Sequence, residues 1–172
     1  MFCTLFNDDA AYVRLYWSKF PDWYCSGDIA RRDNDGYIWI QGRADDVIMI
    51  AGHRIGTAEI EAALAAHPSV AECAVIGIAD NIRGEVAKAF VVLKEDGLSP
   101  ATAQDETDMK HSLIAHVRQE LGPIAIVGEV SLRDTLPRNR SGKILRRLLR
   151  AESTGSAIGD TSTLDNDIFT TA

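Results

Sequence analysis

The stretch "VAECAVIGIADNIRGEVAKAFVVLK", Val70 to Lys94, decides the fold. Two runs rich in apolar and β-branched residues, Val70 to Asp80 and Glu85 to Lys94, flank a four-residue loop of Asn81, Ile82, Arg83 and Gly84. Side chains branched at Cβ suit a pleated, packed surface, so the runs read as two core strands joined by a short connection.

Upstream, Thr57 is placed to cap a helix. Glu59 and Glu61 suit its positive end, and Ile60, Ala63 and Leu64 make a buried stripe that Pro68 stops. Before it, "VIMI" and "HRI" are two short extended pieces around Ala51-Gly52. "GDIARRDNDGYIWIQGR", Gly27 to Arg43, reads as a hairpin turning at Asp33 to Gly36. Asn7, Asp8 and Asp9 cap a short helix through about Ser18, with Ala11 and Leu15, and next to them Tyr12 and Tyr16, as candidates for its apolar side, and Pro21 ends it.

Downstream, Gly97 to Ala103 reads as a loop. Met109, Leu113, Val117 and Leu121 have the spacing of a helix over 105–121, which Gly122-Pro123 terminates. "EVSLRD", Glu129 to Asp134, is a further strand. "TLPRNRSGKILRRLLR", Thr135 to Arg150, is a loop leading into an amphipathic helix over 144–150. This order of elements predicts a small α+β domain with helices packed on a mixed sheet. A polar break at Gly42 to Asp46 is a candidate boundary. Residues 151–172, small, polar and acidic, read as a disordered or loosely docked tail.

The 172 residues carry a formal charge of −7, but Ser131 to Arg150 concentrates six arginines and Lys143 against Asp134 alone. An anionic partner is plausible there. A nucleic-acid role is disfavoured because no aromatic residues interleave with the cations and the whole chain is acidic. The N-terminus reaches Asp8 without a basic segment, and no apolar run approaches the ~18 residues of a membrane span. With Cys3, Cys25 and Cys73 far apart and lacking metal-ligand spacing, a reduced, cytoplasmic protein without bound metal is expected.

Three local patterns carry chemistry. Ser141-Gly142 permits a tight exposed turn that sets Lys143 at a mobile tip, where its ammonium can meet negative charge on phosphate or carboxylate oxygens. A Walker loop is excluded, since Pro137 stands where its first glycine belongs and Ile144 follows the lysine. The flanking Arg146, Arg147 and Arg150 read equally well as a solvated helix face. Asp28 and Arg43, at the paired ends of the hairpin, suit either a ribose hydroxyl beside a phosphate or an ordinary surface ion bridge. In "AGHRIG", Gly52 allows a backbone to approach a narrow ligand beside the cationic Arg54, a pattern that an ordinary solvated turn also produces. An acid–base dyad, a Ser/His/Asp order and a metal cluster are not evident.

Taken together, "YCSGDIARRDNDGYIWIQGRADDVIMIAGHRIGTAEIEAAL", "HPSVAECAVIG" and "LPRNRSGKILRRLLR" resemble, in order, the C-terminal end of AMP-forming acyl-CoA synthetases, the acyl-adenylate-forming superfamily. The likeness spans roughly residues 12–150, and "GHRIGTAEIE" is most similar to the acetyl and propionyl branch. Ser26 and Ala51 are mild departures, where the family carries a threonine and often a serine.

The resemblance implies a site residue by residue. Asp28 would bind the ribose hydroxyls of ATP or AMP, Arg43 the ribose and phosphate end, and Arg54 the adenylate phosphate. Asp45 would be a hinge, Gly52 would line the tunnel for CoA, and Arg118 would meet a CoA phosphate. Lys143 would be the adenylation lysine.

The implied substrates are acetate or propionate, ATP as its magnesium complex, and CoA, with no protein-bound metal and no nucleic-acid or membrane partner. On this resemblance, residues 1–44 are a remnant of the large adenylation domain and 45–150 the mobile small domain. The large domain is expected from elsewhere, in cis or in trans, and the chain alone is expected to be inactive. A free-standing binding or regulatory module of the same fold is the alternative.

Overall fold

The computed structural model describes residues 3–94, 102–158, 161 and 164. The chain separates into two compact units, Met1–Asp45 and Asp46–Ala172.

In the first unit, helix α1 (Asp9–Tyr16) is capped by the Asp8 carboxylate, which accepts from the Ala11 amide at 2.9 Å. It stops short of Ser18 because the Trp17 and Ser18 amides both turn back onto the Val13 carbonyl. Leu15, expected on the packed side, is 58% exposed; Ala11 is buried, and Tyr12 and Tyr16, also candidates for that side, pack with Trp17 and Tyr24. Strands β1 (Asp28–Arg32) and β2 (Ile38–Arg43) pair antiparallel. One side chain closes their turn: the Asp33 carboxylate accepts from the Asp35 and Tyr37 amides and from Trp39 Nε1 at 2.8 Å. The Trp39 bond, more than the amides, holds that carboxyl below its usual range.

The second unit runs β3 (Val47–Ile50), β4 (His53–Gly56), α2 (Thr57–Ala65), β5 (Val70–Asp80), β6 (Gly84–Leu93), α3 (Ala103–Leu121), β7 (Val127–Leu132) and α4 (Arg146–Thr154). The sheet is mixed. β6 pairs antiparallel with β5 along its whole length, meets β3 at Ile50 opposite Gly84, and pairs in parallel with β7 from Ala87 to Val91. The parallel pair needs a long crossover, which α3 supplies.

Burial on both faces explains why β5 and β6 are apolar almost throughout rather than alternating. Val75, Ala87, Ala89 and Val91 face one cluster with Ile60, Leu64, Leu113 and Val117 from α2 and α3. Ala74, Ile76 and Phe90 face a second cluster with Leu136 and Leu149. Cys73 packs against the first cluster, where burial, with the Glu61 carboxylate nearby, pushes its thiol up to about 11.

Four local expectations change. Thr57 is not the cap of α2, because β4 runs into the helix without a loop. Gly56 takes the cap position in extended backbone, and Thr57 is drawn into the core at 3% exposure. α3 begins at Ala103 through a capping box, in which the Thr102 hydroxyl and the Asp105 carboxylate each accept from the other's backbone. The loop expected over 97–103 therefore reaches only to Thr102, and residues 95–101 lie outside the described residues. α4 starts at Arg146 rather than 144, because Ile144 still pairs with Arg138, and it continues to Thr154, where Gly155 at φ +65° ends it. Most of the segment read as a tail lies outside the described residues; Leu164 forms a bridge with Asn139.

Between α2 and α3, the rings of His67 and His116 meet edge to face at 5.2 Å. His67 Nδ1 accepts from the Ser69 amide at 3.2 Å, which requires a neutral ring on that side. Burial first, and His116 second, hold the His67 pKa below its usual value. A histidine whose folded pKa is depressed contributes stability that is complete above the unfolded value of about 6.5 and is lost as the pH falls through that value toward the folded one. The urea midpoint of the chain is therefore expected to drop between pH 7 and pH 5. The drop should shrink in His67→Gln, and an equal pH dependence in that variant would show the pair is irrelevant.

Candidate functional site

The first unit holds the Asp28 and Arg43 pair. The two residues stand opposite each other in the β1–β2 register, and Arg43 Nη1 lies 3.3 Å from Asp28 Oδ1 and donates to the Ser26 carbonyl at 2.8 Å. Gly27, at φ +80°, makes room for this, since a Cβ there would sit 2.7 Å from Arg43 Nη2. The side chains are 49% and 37% exposed. An exposed pair contributes only about 0–1 kcal/mol to stability.

In the second unit, Ala51 and Gly52 form the two-residue turn between β3 and β4, both at positive φ (+49° and +84°) as a primed hairpin turn demands. A Cβ built on Gly52 meets nothing within 4 Å, so the turn faces open space. It is braced from behind by the Ala51 amide donating to the Arg83 carbonyl at 2.8 Å and by the Met49 amide donating to Glu85 Oε2 at 2.7 Å. Arg54 lies opposite Met49, exposed. Arg118 is an exposed residue in the last turn of α3, whose carbonyl receives the capping Gly122 amide. Asp45 closes the first unit, inside a single 3-10 turn over Ala44–Asp46.

Lys143 is exposed, and its ammonium has no carboxylate partner among the described residues. The loop that carries it is not an open tip. The Asn139 amide donates to the Lys143 carbonyl at 2.9 Å, the Gly142 amide to the Asn139 carbonyl at 2.8 Å, and the Leu145 amide to the Pro137 carbonyl at 2.8 Å. Arg138 pairs with Glu72 on β5 and donates to the Gly142 carbonyl.

Of the arginines after it, Arg147 is exposed and donates to the Ile158 carbonyl, whereas Arg146 and Arg150 are not a solvated face. Arg146 reaches both carboxylate oxygens of Glu61 at 2.8 Å, and Arg150 donates to Asp46 Oδ1 at 2.7 Å. Glu61 Oε1 also accepts from the Val75 amide at 2.8 Å, which ties α2, α4 and β5 together. Burial works against the charge on Arg146, yet Glu61 and Asp46 outweigh it and the pKa stays raised. Residues 85 and 104 positions apart in sequence leave no local signal of these pairs. The i, i+4 spacing of Arg146 and Arg150 is the one hint the sequence offers that both could reach a single acidic partner.

A family model described as the AMP-binding enzyme C-terminal domain matches residues 59–143, ending on Lys143. These residues belong to the AMP-binding enzyme C-terminal domain family. Over 163 residues the chain is 48% identical to the acetyl-coenzyme A synthetase of Pyrobaculum aerophilum, a match covering 95% of this chain and 23% of that protein.

Among solved structures it is similar to the Brucella canis acyl-CoA synthetase, with a TM-score of 0.57 and 39% identity, covering 76% of this chain and 23% of that one. It is also similar to an ATP-bound RpMatB-BxBclM chimera, with a TM-score of 0.71 and 29% identity, covering 88% and 28%. The chain spans about a quarter of the length of the curated relatives it matches. Among the described residues of this AMP-binding enzyme C-terminal domain and the unit before it, no helix is long and apolar enough to cross a membrane, and no group of three or more His, Cys, Asp or Glu side chains gathers to hold a metal ion.

Proposed function

We propose that this chain is the C-terminal portion of an AMP-forming acetate–CoA ligase. In the first half-reaction an acetate oxygen attacks the α-phosphorus of ATP and pyrophosphate leaves. In the second, the CoA sulfur attacks the acyl carbon and AMP leaves. The observation that carries the reading is Lys143: an exposed ammonium without a carboxylate partner among the described residues, on a hydrogen-bonded loop, at the end of the family match. Placed against the acyl-phosphate junction, it neutralises charge that grows on the oxygens as the anhydride forms.

Asp28 presents a carboxylate to the ribose hydroxyls, and Arg43 and Arg54 meet phosphate. The open Gly52 turn admits the narrow arm of CoA, and Arg118 meets one of its phosphates. Asp45 lies where the two units meet in sequence and is the hinge about which the second unit exchanges the Lys143 loop for the Gly52 turn. The identity to acetyl-coenzyme A synthetases favours acetate over longer acids. ATP, CoA and three free thiols, Cys3, Cys25 and Cys73, fit a cytoplasmic enzyme.

On this reading turnover requires an adenylation domain. The chain joined in frame behind the adenylation domain of an acetyl-CoA synthetase is expected to form AMP and acetyl-CoA from acetate, ATP and CoA, and the 172 residues alone are expected to form neither. A fusion as inactive as the separate parts would favour a non-catalytic module.

A further inference from the structure

The Lys143 loop is organised around a side chain that no motif singles out. Asn139 Oδ1 accepts three donors: the Ser141 amide at 3.1 Å, the Ser141 hydroxyl at 2.8 Å and the Lys143 amide at 2.8 Å. With the two backbone bonds between Asn139 and residues 142 and 143, the carboxamide closes a ring around Arg140, Ser141 and Gly142. Gly142, at φ +80°, supplies the left-handed step that lets the Lys143 amide swing back onto it.

The neighbouring Arg138 fastens this ring to the sheet through Glu72 on β5. Leu136 and Leu149, on either side of the loop, are both anchored in the Phe90 cluster. The backbone of Lys143 is thus fixed relative to β5 while its ammonium remains exposed.

We propose that Asn139 is a positioning residue for the adenylation lysine, holding the loop in its working shape before substrate arrives. The proposal rests on the assignment of Lys143 made above and deepens it. The loop takes up the Asn139 oxygen with three donors, which leaves that atom no bond to offer a substrate. Its effect is on geometry, and misplacing a catalytic group by about 1 Å can cost on the order of a hundredfold in rate.

The test uses the in-frame fusion and reads the two half-reactions separately, as acetate-dependent pyrophosphate exchange and as thioester formation from supplied acetyl-AMP. Asn139→Ala is expected to slow exchange roughly tenfold to a hundredfold and to leave thioester formation within about twofold. Asn139→Asp keeps an acceptor oxygen in the same place and should recover most of the exchange rate, which a loss of bulk packing would not explain.

In the 172-residue chain, hydrogen exchange at the Ser141 and Lys143 amides should accelerate in Asn139→Ala and stay slow in Asn139→Asp. Exchange activity unchanged in Asn139→Ala, or equal slowing of both half-reactions, overturns the proposal. Lys143→Ala is the reference. If it slows both half-reactions alike, the assignment of Lys143 fails and carries this proposal with it; if it is selective and Asn139→Ala is silent, only the positioning role is lost.

Discussion

Lys143→Ala, introduced into the in-frame fusion, is expected to lower acetate-dependent pyrophosphate exchange about 10²- to 10³-fold, the usual cost of removing one group that stabilises developing negative charge. Formation of acetyl-CoA from supplied acetyl-AMP should stay within roughly threefold of the parent, because Lys143 and the Gly52 turn lie on separate parts of the second unit. One belongs to the loop between β7 and α4, the other to the β3–β4 turn. A charge effect also predicts that Lys143→Arg restores the reaction only in part, since a planar guanidinium cannot place its charge where a compact ammonium does. Equal loss of both half-reactions would remove the role proposed for this residue.

How far these features are legible in the sequence depends on whether each signal is local. The β5–β6 pair rests on runs of apolar, β-branched residues and the stripes of α2 and α3 on helical spacing, and the structure buries Ile60, Leu64, Leu113 and Val117 as that spacing requires. The "DNDG" turn sets the near end of the hairpin, Arg32 opposite Ile38, but it is a one-residue register shift between Ile29 and Ala30 that brings Asp28 opposite Arg43, and the sequence does not announce that shift.

The start of α4 is illegible because Leu145 caps it without any side-chain bond, and the bridge from Arg138 to Ile144 delays it by two residues. Arg146 and Arg150 read in sequence equally well as a solvated helix face, and Arg138 carries no local signal of a partner. Their partners, Glu72, Glu61 and Asp46, come from segments that only the tertiary fold brings near. Asn139 sits between these cases. Its Asn-x-Ser-Gly setting is a turn signal, but convergence of three donors on one oxygen depends on the whole loop conformation.

Phe90→Ala is expected to be the most destabilising single change in the second unit, and it bears on the Lys143 loop as well as on the sheet. The ring is fully buried at the centre of β6, opposite Ala74 on β5, and packs with Ile76, Leu136 and Leu149. The Lys88 ammonium and the Arg133 guanidinium lie 5.4 and 5.6 Å from its centroid. Truncation to alanine removes the transfer energy of the ring and leaves a cavity, together about 3–5 kcal/mol, with the two cation–π contacts adding about 0.5–1 kcal/mol each. Against a total stability of about 5–15 kcal/mol for a domain of this size, urea unfolding should shift its midpoint by about 1–3 M.

Leu113→Ala, in the cluster on the opposite face, should cost about 2–5 kcal/mol. The two variants should differ in where the protein opens. Leu136 precedes the Lys143 loop and Leu149 follows it, and both lose their partner in Phe90→Ala, so amides over 138–145 should exchange faster even where the sheet stays protected. Leu113→Ala should leave that stretch as slow as the parent's. A loss below about 1 kcal/mol in Phe90→Ala, or equal loop exchange in both variants, would mean that the loop is held by its own hydrogen bonds and the Arg138–Glu72 pair rather than by the core beneath it.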